Sequence, residues 1–289
     1  MFSSSAFRLR RRVRPWLLPR LAGESELDHR TRQNEEYFSE QVLETHDWWK
    51  RVGEHFNFSN ASVLDLGCGH GAMSISVAEA GASEVLGLDL DADRIAFASG
   101  VVRQRYPGLA GKVHFACQDI LSLSQRHHYD YVLSKDSFEH IDDLQSVVNS
   151  IAILLKPGGK LIVGFSPLYY SPFGDHGNLK LPRLWLHAVL PEKWLLRWVS
   201  AKERRRIGKI SDLGLNQLTP VEFRSMFPAS HWRIISLKYN RGSRRFMPLM
   251  SALRKITPLE KYFTVNIYAV IEATGVAQPS EREPQKRAV

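Results

Sequence analysis

Long apolar runs are missing from this chain of 289 residues. No stretch approaches the roughly 18 consecutive apolar residues of a membrane-spanning helix, so no transmembrane segment is expected. Cysteine is scarce as well. Cys68 and Cys117 are the only two, which excludes a disulfide framework and points to a reducing, cytoplasmic setting. Both fall at the ends of expected strands, where a small buried thiol packs well. Acids are absent before Glu24, while the same stretch carries Arg8, Arg10, Arg11, Arg12, Arg14 and Arg20. The apolar segment of a secretory signal does not follow them. Residues 1–23 therefore read as a disordered basic tail, a membrane-surface anchor or an organellar transit peptide. The favoured reading is a tail that touches membrane or nucleic acid weakly. No internal repeat is present.

What the chain does hold is ordinary globular composition, 44% hydrophobic and 24% charged. Its net charge of +9 suits anionic partners: nucleic acid, a membrane surface or acidic substrates. Phe38, Val42, Trp48, Trp49, Val52 and Phe56 recur at helical spacing and predict one or two helices over 25–56. From residue 62 onward strands and helices alternate. Strands are expected near 62–66, 84–89, 112–117, 129–134, 159–166, 231–239 and 264–273. Helices are expected near 71–81, 92–106, 143–155 and 219–227. Such alternation implies right-handed βαβ units and a mainly parallel sheet. The last two strands, expected to follow one another closely, suit an antiparallel edge pair. Residues 276–289, polar and charged with two prolines, read as a disordered tail.

The chain is organised around residues 62–72. Val63, Leu64 and Leu66 end in Gly67, Gly69 and Gly71, and an apolar helical stretch follows. Strand, glycine turn and helix let a backbone approach a ligand closely and point free N–H groups at it. A dinucleotide fingerprint would read G-x-G-x-x-G. Here the spacing is G-x-G-x-G, with Asp65 before it and Asp89 closing the next strand.

That arrangement resembles motif I of the class I S-adenosylmethionine (SAM) methyltransferases. Leu155-Lys-Pro-Gly-Gly-Lys160 resembles the turn before the fifth strand of the same family, and together the matches cover about residues 60–170. The resemblance implies an α/β, Rossmann-like, seven-stranded and mostly parallel sheet with helices on both faces. It also implies an N-terminal helical cover over the site. SAM would be the cofactor. Asp65, Gly67, Cys68, Gly69 and Gly71 would lie at its methionine end, Asp89 and Leu90 at its ribose, and Asp119 and Ile120 at its adenine. Lys135 would stand beside them. Asp119 also reads as a plain turn or helix cap.

The fourth strand runs into Asp136-Ser-Phe-Glu139-His140, whose i, i+3, i+4 spacing places two carboxylates and an imidazole on one helical face. The cluster resembles the metal-binding segments of ubiquinone-pathway O-methyltransferases and small-RNA 2′-O-methyltransferases, with Asp136 where they carry Glu. A divalent metal on Asp136, Glu139, His140 and His176 is one implication; a metal-free site, with Glu facing the ligand and His packing locally, is the other. After the fifth strand, Ser166-Pro-Leu-Tyr-Tyr-Ser-Pro-Phe-Gly-Asp-His176-Gly opens an inserted lid over about 167–215. His176 is the candidate general base there, with a turn histidine as the plainer reading. Tyr169, Tyr170 and Phe173 suit stacking or lid packing.

Residues 181–209 read as helical, with Trp194 and Trp198 beside Lys193, Arg197, Lys202 and Arg204–Arg206. This pattern suits either an interfacial helix on anionic lipid or a packed helix with a solvated basic edge. Residues 212–218 are expected to return the chain to the site. Thr219-Pro220-Val-Glu222 has the form of a helix cap. The expected function is SAM-dependent O-methylation of a small molecule, glycan or lipid-linked intermediate, with peripheral membrane association through the basic N-terminus and lid. Two rivals stand beside it. One is an RNA methyltransferase, disfavoured because no RNA-binding module is visible. The other is a non-catalytic membrane adaptor, disfavoured by the intact glycine turn.

Overall fold

The computed structural model describes residues 18–177, 179, 181, 184–204 and 206–274. The tail over 276–289 and the arginines before residue 18 lie outside the described residues. Seven strands form one sheet: β1 (Ser62–Leu66), β2 (Glu84–Asp89), β3 (Val113–Cys117), β4 (Tyr129–Lys135), β5 (Leu155–Phe165), β6 (Trp232–Tyr239) and β7 (Ile267–Ala273). Their order is β3-β2-β1-β4-β5-β7-β6. All neighbours are parallel except β7, which runs antiparallel to both β5 and β6. Chain order reverses between β1 and β4. Beyond the carboxyl ends of strands at such a switch, open α/β sheets bind their ligands.

Strand β1 is buried at every position, as a central parallel strand covered on both faces must be. Helices α2 (Ala72–Glu79) and α3 (Ala92–Arg105) cover one face together with α1 (Glu26–Val52). Helices α4 (Leu144–Leu154) and α7 (Pro220–Ser225) cover the other. Predicted and observed boundaries of α2, α3, α4 and α7 differ by a residue or two. In α7 the Glu222 amide donates to Thr219 Oγ1 at 3.2 Å, and Glu222 Oε2 accepts from the Thr219 amide at 2.8 Å. That is the reciprocal cap the sequence shows.

The cover over 25–56 is one helix, α1. Ser25 caps its start by accepting the Asp28 amide, and Gly53, at φ 64°, ends it. Phe38, Trp48 and Val52 are buried in the core, and Trp48 Nε1 donates to the Gly164 carbonyl at 3.0 Å. Val42 is an exception to the expected apolar face: it is exposed, because the stripe that packs runs through 38, 45, 48 and 52. Cys117 is exposed as well, its strand lying at the edge of the sheet.

Three further expectations are corrected. β5 starts at Leu155, not 159: Leu155 pairs with Tyr129, an irregularity spans Lys156–Gly159, and pairing resumes at Lys160 opposite Tyr131. The lid is two short helices, α5 (Leu186–Val189) and α6 (Glu192–Glu203), since Pro191 interrupts the run. β6 and β7 do not follow one another closely. Between them stands an arm with α8 (Met247–Leu253) and α9 (Glu260–Phe263), held to the lid by Trp185 Nε1 donating to the Tyr262 carbonyl at 2.9 Å.

Candidate active site

A cavity of about 820 Å³ opens at the switch point. Gly67, Cys68 and Gly69 of the glycine turn form its floor, whereas Gly71, expected there too, does not line the cavity and lies against Phe115 and Ala98. Gly67, Gly69 and Gly71 have φ of 73°, 53° and 86°, and the Gly67 and Cys68 amides donate to the Leu88 carbonyl at 2.8 and 2.9 Å. Gly67 is required by close approach: a Cβ there would lie 2.1 Å from Ser137 Oγ. A Cβ on Gly69 would meet nothing within 4 Å, so that side of the turn faces open space.

Acidic groups ring this end. Asp89 Oδ2 accepts from the Gly69 amide and its Oδ1 from the Asp91 amide, both at 2.9 Å. Asp65 is buried and accepts from Ser74 Oγ at 2.6 Å. Burial pushes its carboxyl up to about 6, against the pull of Ser74 and Lys135. Burial also raises the Cys68 thiol, helped by Asp65 and Asp89, so it stays protonated. Asp119 caps a short turn, accepting from the Leu121 amide at 2.9 Å; the cap role holds, and the residue lines the cavity too. Leu90, Ile120 and Leu121 add apolar wall.

The cover helix supplies Tyr37, Gln41 and Thr45, one turn apart each, to the cavity wall. Gln41 bonds Lys135 Nζ, which also lies 3.3 Å from an Asp136 oxygen and 3.9 Å from Glu44. His70, inside the glycine turn, packs between Tyr37 and Phe97 and bonds Asn34 Oδ1 at 3.1 Å. Burial lowers its imidazole to about 4. Arg94 lines the cavity as well, and neither it nor His70 nor these α1 residues belong to the sequence expectation. His70 was visible within the turn; the α1 residues carried no signal beyond helical spacing.

At the opposite end of the cavity stand Asp136, Ser137, His140, Ser211 and Gly214. Nδ1 of His140 hydrogen-bonds the Gly214 carbonyl. A carbonyl only accepts, so Nδ1 carries the proton and Nε2 keeps its lone pair. His176 is placed differently from the expectation: it is not among the cavity-lining residues. Its Nε2 bonds the Pro167 carbonyl at 2.9 Å, and its ring meets that of His140 edge-on at 5.2 Å. Burial pushes it down to about 4. Glu139 is buried, with Oε1 accepting from the Ser166 amide at 3.3 Å and Oε2 without a hydrogen-bond partner among the described residues. Burial, reinforced by Asp136, holds its carboxyl well above the usual carboxylate range.

The expected metal set is thus adjacent but not assembled. Among the described residues no three His, Cys, Asp or Glu side chains stand as an ion-holding group. Both imidazoles are turned onto backbone carbonyls, and Asp136 faces Lys135. As placed, these residues do not fit a metal ion.

Comparison with known proteins places this geometry. A methyltransferase-domain family model matches residues 64–161. The ubiquinone biosynthesis O-methyltransferase of Cronobacter sakazakii is 33% identical over 189 residues, covering 64% of this chain and 68% of that one. The chain belongs to the class I SAM-dependent methyltransferases. The corresponding Nitrosospira multiformis protein is 37% identical over 123 residues, 42% of this chain and 48% of its own length. The chain therefore spans only about half of several curated relatives it matches. Among solved structures, geranyl diphosphate C-methyltransferase from Streptomyces coelicolor A3(2) aligns with TM-score 0.52 and 16% identity, over 81% of this chain and 77% of that one. At that identity the likeness shows the fold alone, and the fold is the expected SAM-methyltransferase sheet. Family membership brings SAM as the cofactor, and the described residues contain no helix long and apolar enough to cross a membrane.

Proposed function

We propose that this methyltransferase moves the SAM methyl group to a hydroxyl oxygen of a small acceptor, with His140 as general base. The observation that carries the reading is the His140–Gly214 bond, which leaves a bare Nε2 in a residue that lines the cavity. Such a nitrogen is suited to take a hydroxyl proton as the oxygen attacks. SAM would lie over the glycine turn, its ribose hydroxyls at Asp89 and its adenine between Leu90, Ile120 and Asp119. The acids around the turn suit a ligand carrying a sulfonium and an ammonium charge. Likeness to O-methyltransferases over two thirds of one relative supports oxygen as the acceptor atom. Most of the rate would come from aligning acceptor and methyl group in a dry pocket, on the order of 7–11 kcal/mol. His176 supports rather than acts, fixing the His140 ring from its edge.

A second reading is favoured by one observation, the Glu139 Oε2 beside Asp136, which has no hydrogen-bond partner among the described residues. A divalent cation held by Asp136, Glu139 and His140 would satisfy that oxygen and lower the pKa of a bound hydroxyl, but would require these side chains to leave their present partners. The deciding experiment follows methyl label from SAM onto a panel of catechols and sugars, for the wild type and His140→Gln, before and after chelation. Label on oxygen, lost in the variant and indifferent to chelator, supports the first reading. Loss on chelation and return with Mg²⁺ or Mn²⁺ supports the second. Label found only on nitrogen or carbon acceptors overturns both.

The lid supports a peripheral-membrane placement. Trp194 and Trp198 are one turn apart on α6 and 67% and 51% exposed, with Lys193, Arg197 and Lys202 also exposed around them. Aromatic rings with a basic fringe suit the headgroup region of an anionic bilayer. The basic N-terminal stretch, expected to add to this, lies largely outside the described residues.

A further inference from the structure

One side chain of the returning segment spends both of its amide N–H bonds on the turn that bears His140. Asn216 Nδ2 donates to the Phe138 carbonyl at 2.6 Å and to the Ile141 carbonyl at 2.9 Å. Its amide donates to the Glu139 carbonyl at 2.9 Å, and its Oδ1 accepts from the Leu218 amide at 3.3 Å. The turn is a single 3₁₀ loop, Phe138–His140, too short for a helical ladder to satisfy these carbonyls. Two residues before Asn216 stands Gly214, whose carbonyl holds His140 Nδ1. Leu215, between them, is buried against Tyr169 and Ile210, so the segment is anchored from behind.

We propose that Asn216 is a positioning residue for methyl transfer: it staples the 138–141 turn to the returning segment, and so sets the Gly214 carbonyl against Nδ1 of His140. The inference rests on His140 being the base for its consequence in catalysis, but not for its geometry. The residue type is restrictive. Aspartate has the length but presents acceptors to two carbonyls, and alanine leaves both carbonyls unmet. A carbonyl fixed at Nδ1 selects the tautomer with a bare Nε2, and a base must be held within a few tenths of an ångström to be effective. Asn216 touches no cavity-lining atom that reacts; it acts through His140.

The test reads the tautomer directly, with no acceptor needed. The full chain is labelled with ¹⁵N-histidine, and its ring resonances are assigned by their loss in His140→Gln. In the neutral imidazole of the wild type, His140 should show a protonated Nδ1 and a bare Nε2. In Asn216→Ala, and equally in Asn216→Asp, the two signals should collapse toward an average or exchange places. SAM affinity by calorimetry should stay within about twofold, because the glycine turn is untouched. A protonated Nε2 in the wild type overturns the proposal, which keeps it falsifiable even where a variant folds poorly. So does an unchanged His140 signature in a folded Asn216 variant. With an acceptor in hand, Asn216→Ala should lower kcat about tenfold or more, and lower it no further in a His140→Gln background. Methyl transfer that survives His140→Gln would remove the base reading while leaving the tautomer result standing, so the two failures are distinguishable.

Discussion

The two ends of the cavity are built in different ways. At the glycine-turn end, where SAM would lie, the backbone itself is fixed: amides of Gly67, Cys68 and Gly69 bond Leu88 of β2 and Asp89, and β1 is buried throughout. At the opposite end, proposed to take the acceptor, side chains from distant segments do the fixing. His140, His176 and Asn216 each bond a carbonyl from another part of the chain. A backbone site depends on glycines and strand register; a side-chain site depends on a few amides and imidazoles, each replaceable. The first tolerates almost no change of form, and the second lends itself to change of acceptor.

The two ends meet where Gly67 faces Ser137, and the largest effect is expected there. Gly67→Ala would drive a Cβ to 2.1 Å from Ser137 Oγ and 2.8 Å from its Cβ, at a φ of 73° that alanine resists. Saturable SAM binding in calorimetry should vanish. A paired Ser137→Gly should return part of it, since it removes the clash but not the backbone strain. Full affinity in the single variant would mean that the ends are not in contact. Next in size, His140→Gln should cost about 10²–10⁴ in turnover, the usual range for general base catalysis, and leave SAM affinity intact. Loss of affinity instead would place His140 at the cofactor end.

Titration should separate the ends with opposite signs. Asp65 goes from an ordinary 3.8 in the unfolded chain to about 6 when folded, so the native state holds the proton more tightly. Its contribution to stability is greatest in acid and is lost as pH rises from about 4 to 6. His176 goes from 6.5 down to about 4. Its contribution is full above pH 6.5 and is lost as pH falls toward 4. Each shift corresponds to about 3 kcal/mol. Asp65→Asn should therefore raise stability in urea at pH 8 and change little near pH 4, while weakening SAM binding. His176→Gln, which can still donate to Pro167, should flatten the acid side. Parallel slopes in the two variants would contradict this division.

The same contrast governs how far the sequence alone could be read. β1, its glycines and Asp89 are local in the chain, and period and spacing expose them directly. Asp136, Glu139 and His140 were legible as a cluster, but not their partners, since nothing local reveals that Gly214 and Pro167 supply the carbonyls. His176, the candidate base of the inserted segment, is bonded to the Pro167 carbonyl and does not line the cavity, which its sequence context could not reveal. The α8–α9 arm was missed because Pro248 and Pro258 break its apolar pattern into pieces too short to read as helices. Gln41 and Thr45 look like ordinary polar positions of a cover helix, and only packing shows them facing the cavity.

The smallest effect on the folded protein is expected on α6, which packs behind the returning segment through Leu196. Trp194 and Trp198 are mostly exposed, so replacing both by serine should shift stability in water by no more than about 0.5 kcal/mol. Their neighbours Leu195 and Val199 face inward and keep the helix in place. On vesicles the outcome should differ. Each ring transferred into the headgroup region is worth about 1.4 kcal/mol, a tenfold change in partition. Sedimentation with phosphatidylglycerol vesicles should therefore drop steeply in the double variant, and added salt should weaken what the lysines and arginines retain. Phosphatidylcholine vesicles should bind the wild type poorly, because the basic fringe then has no counterpart. Equal sedimentation of wild type and variant on anionic vesicles would assign the two rings to a different partner. The acceptor end would then be open to water-soluble substrates alone, with no membrane beside the lid to present a lipid-linked one.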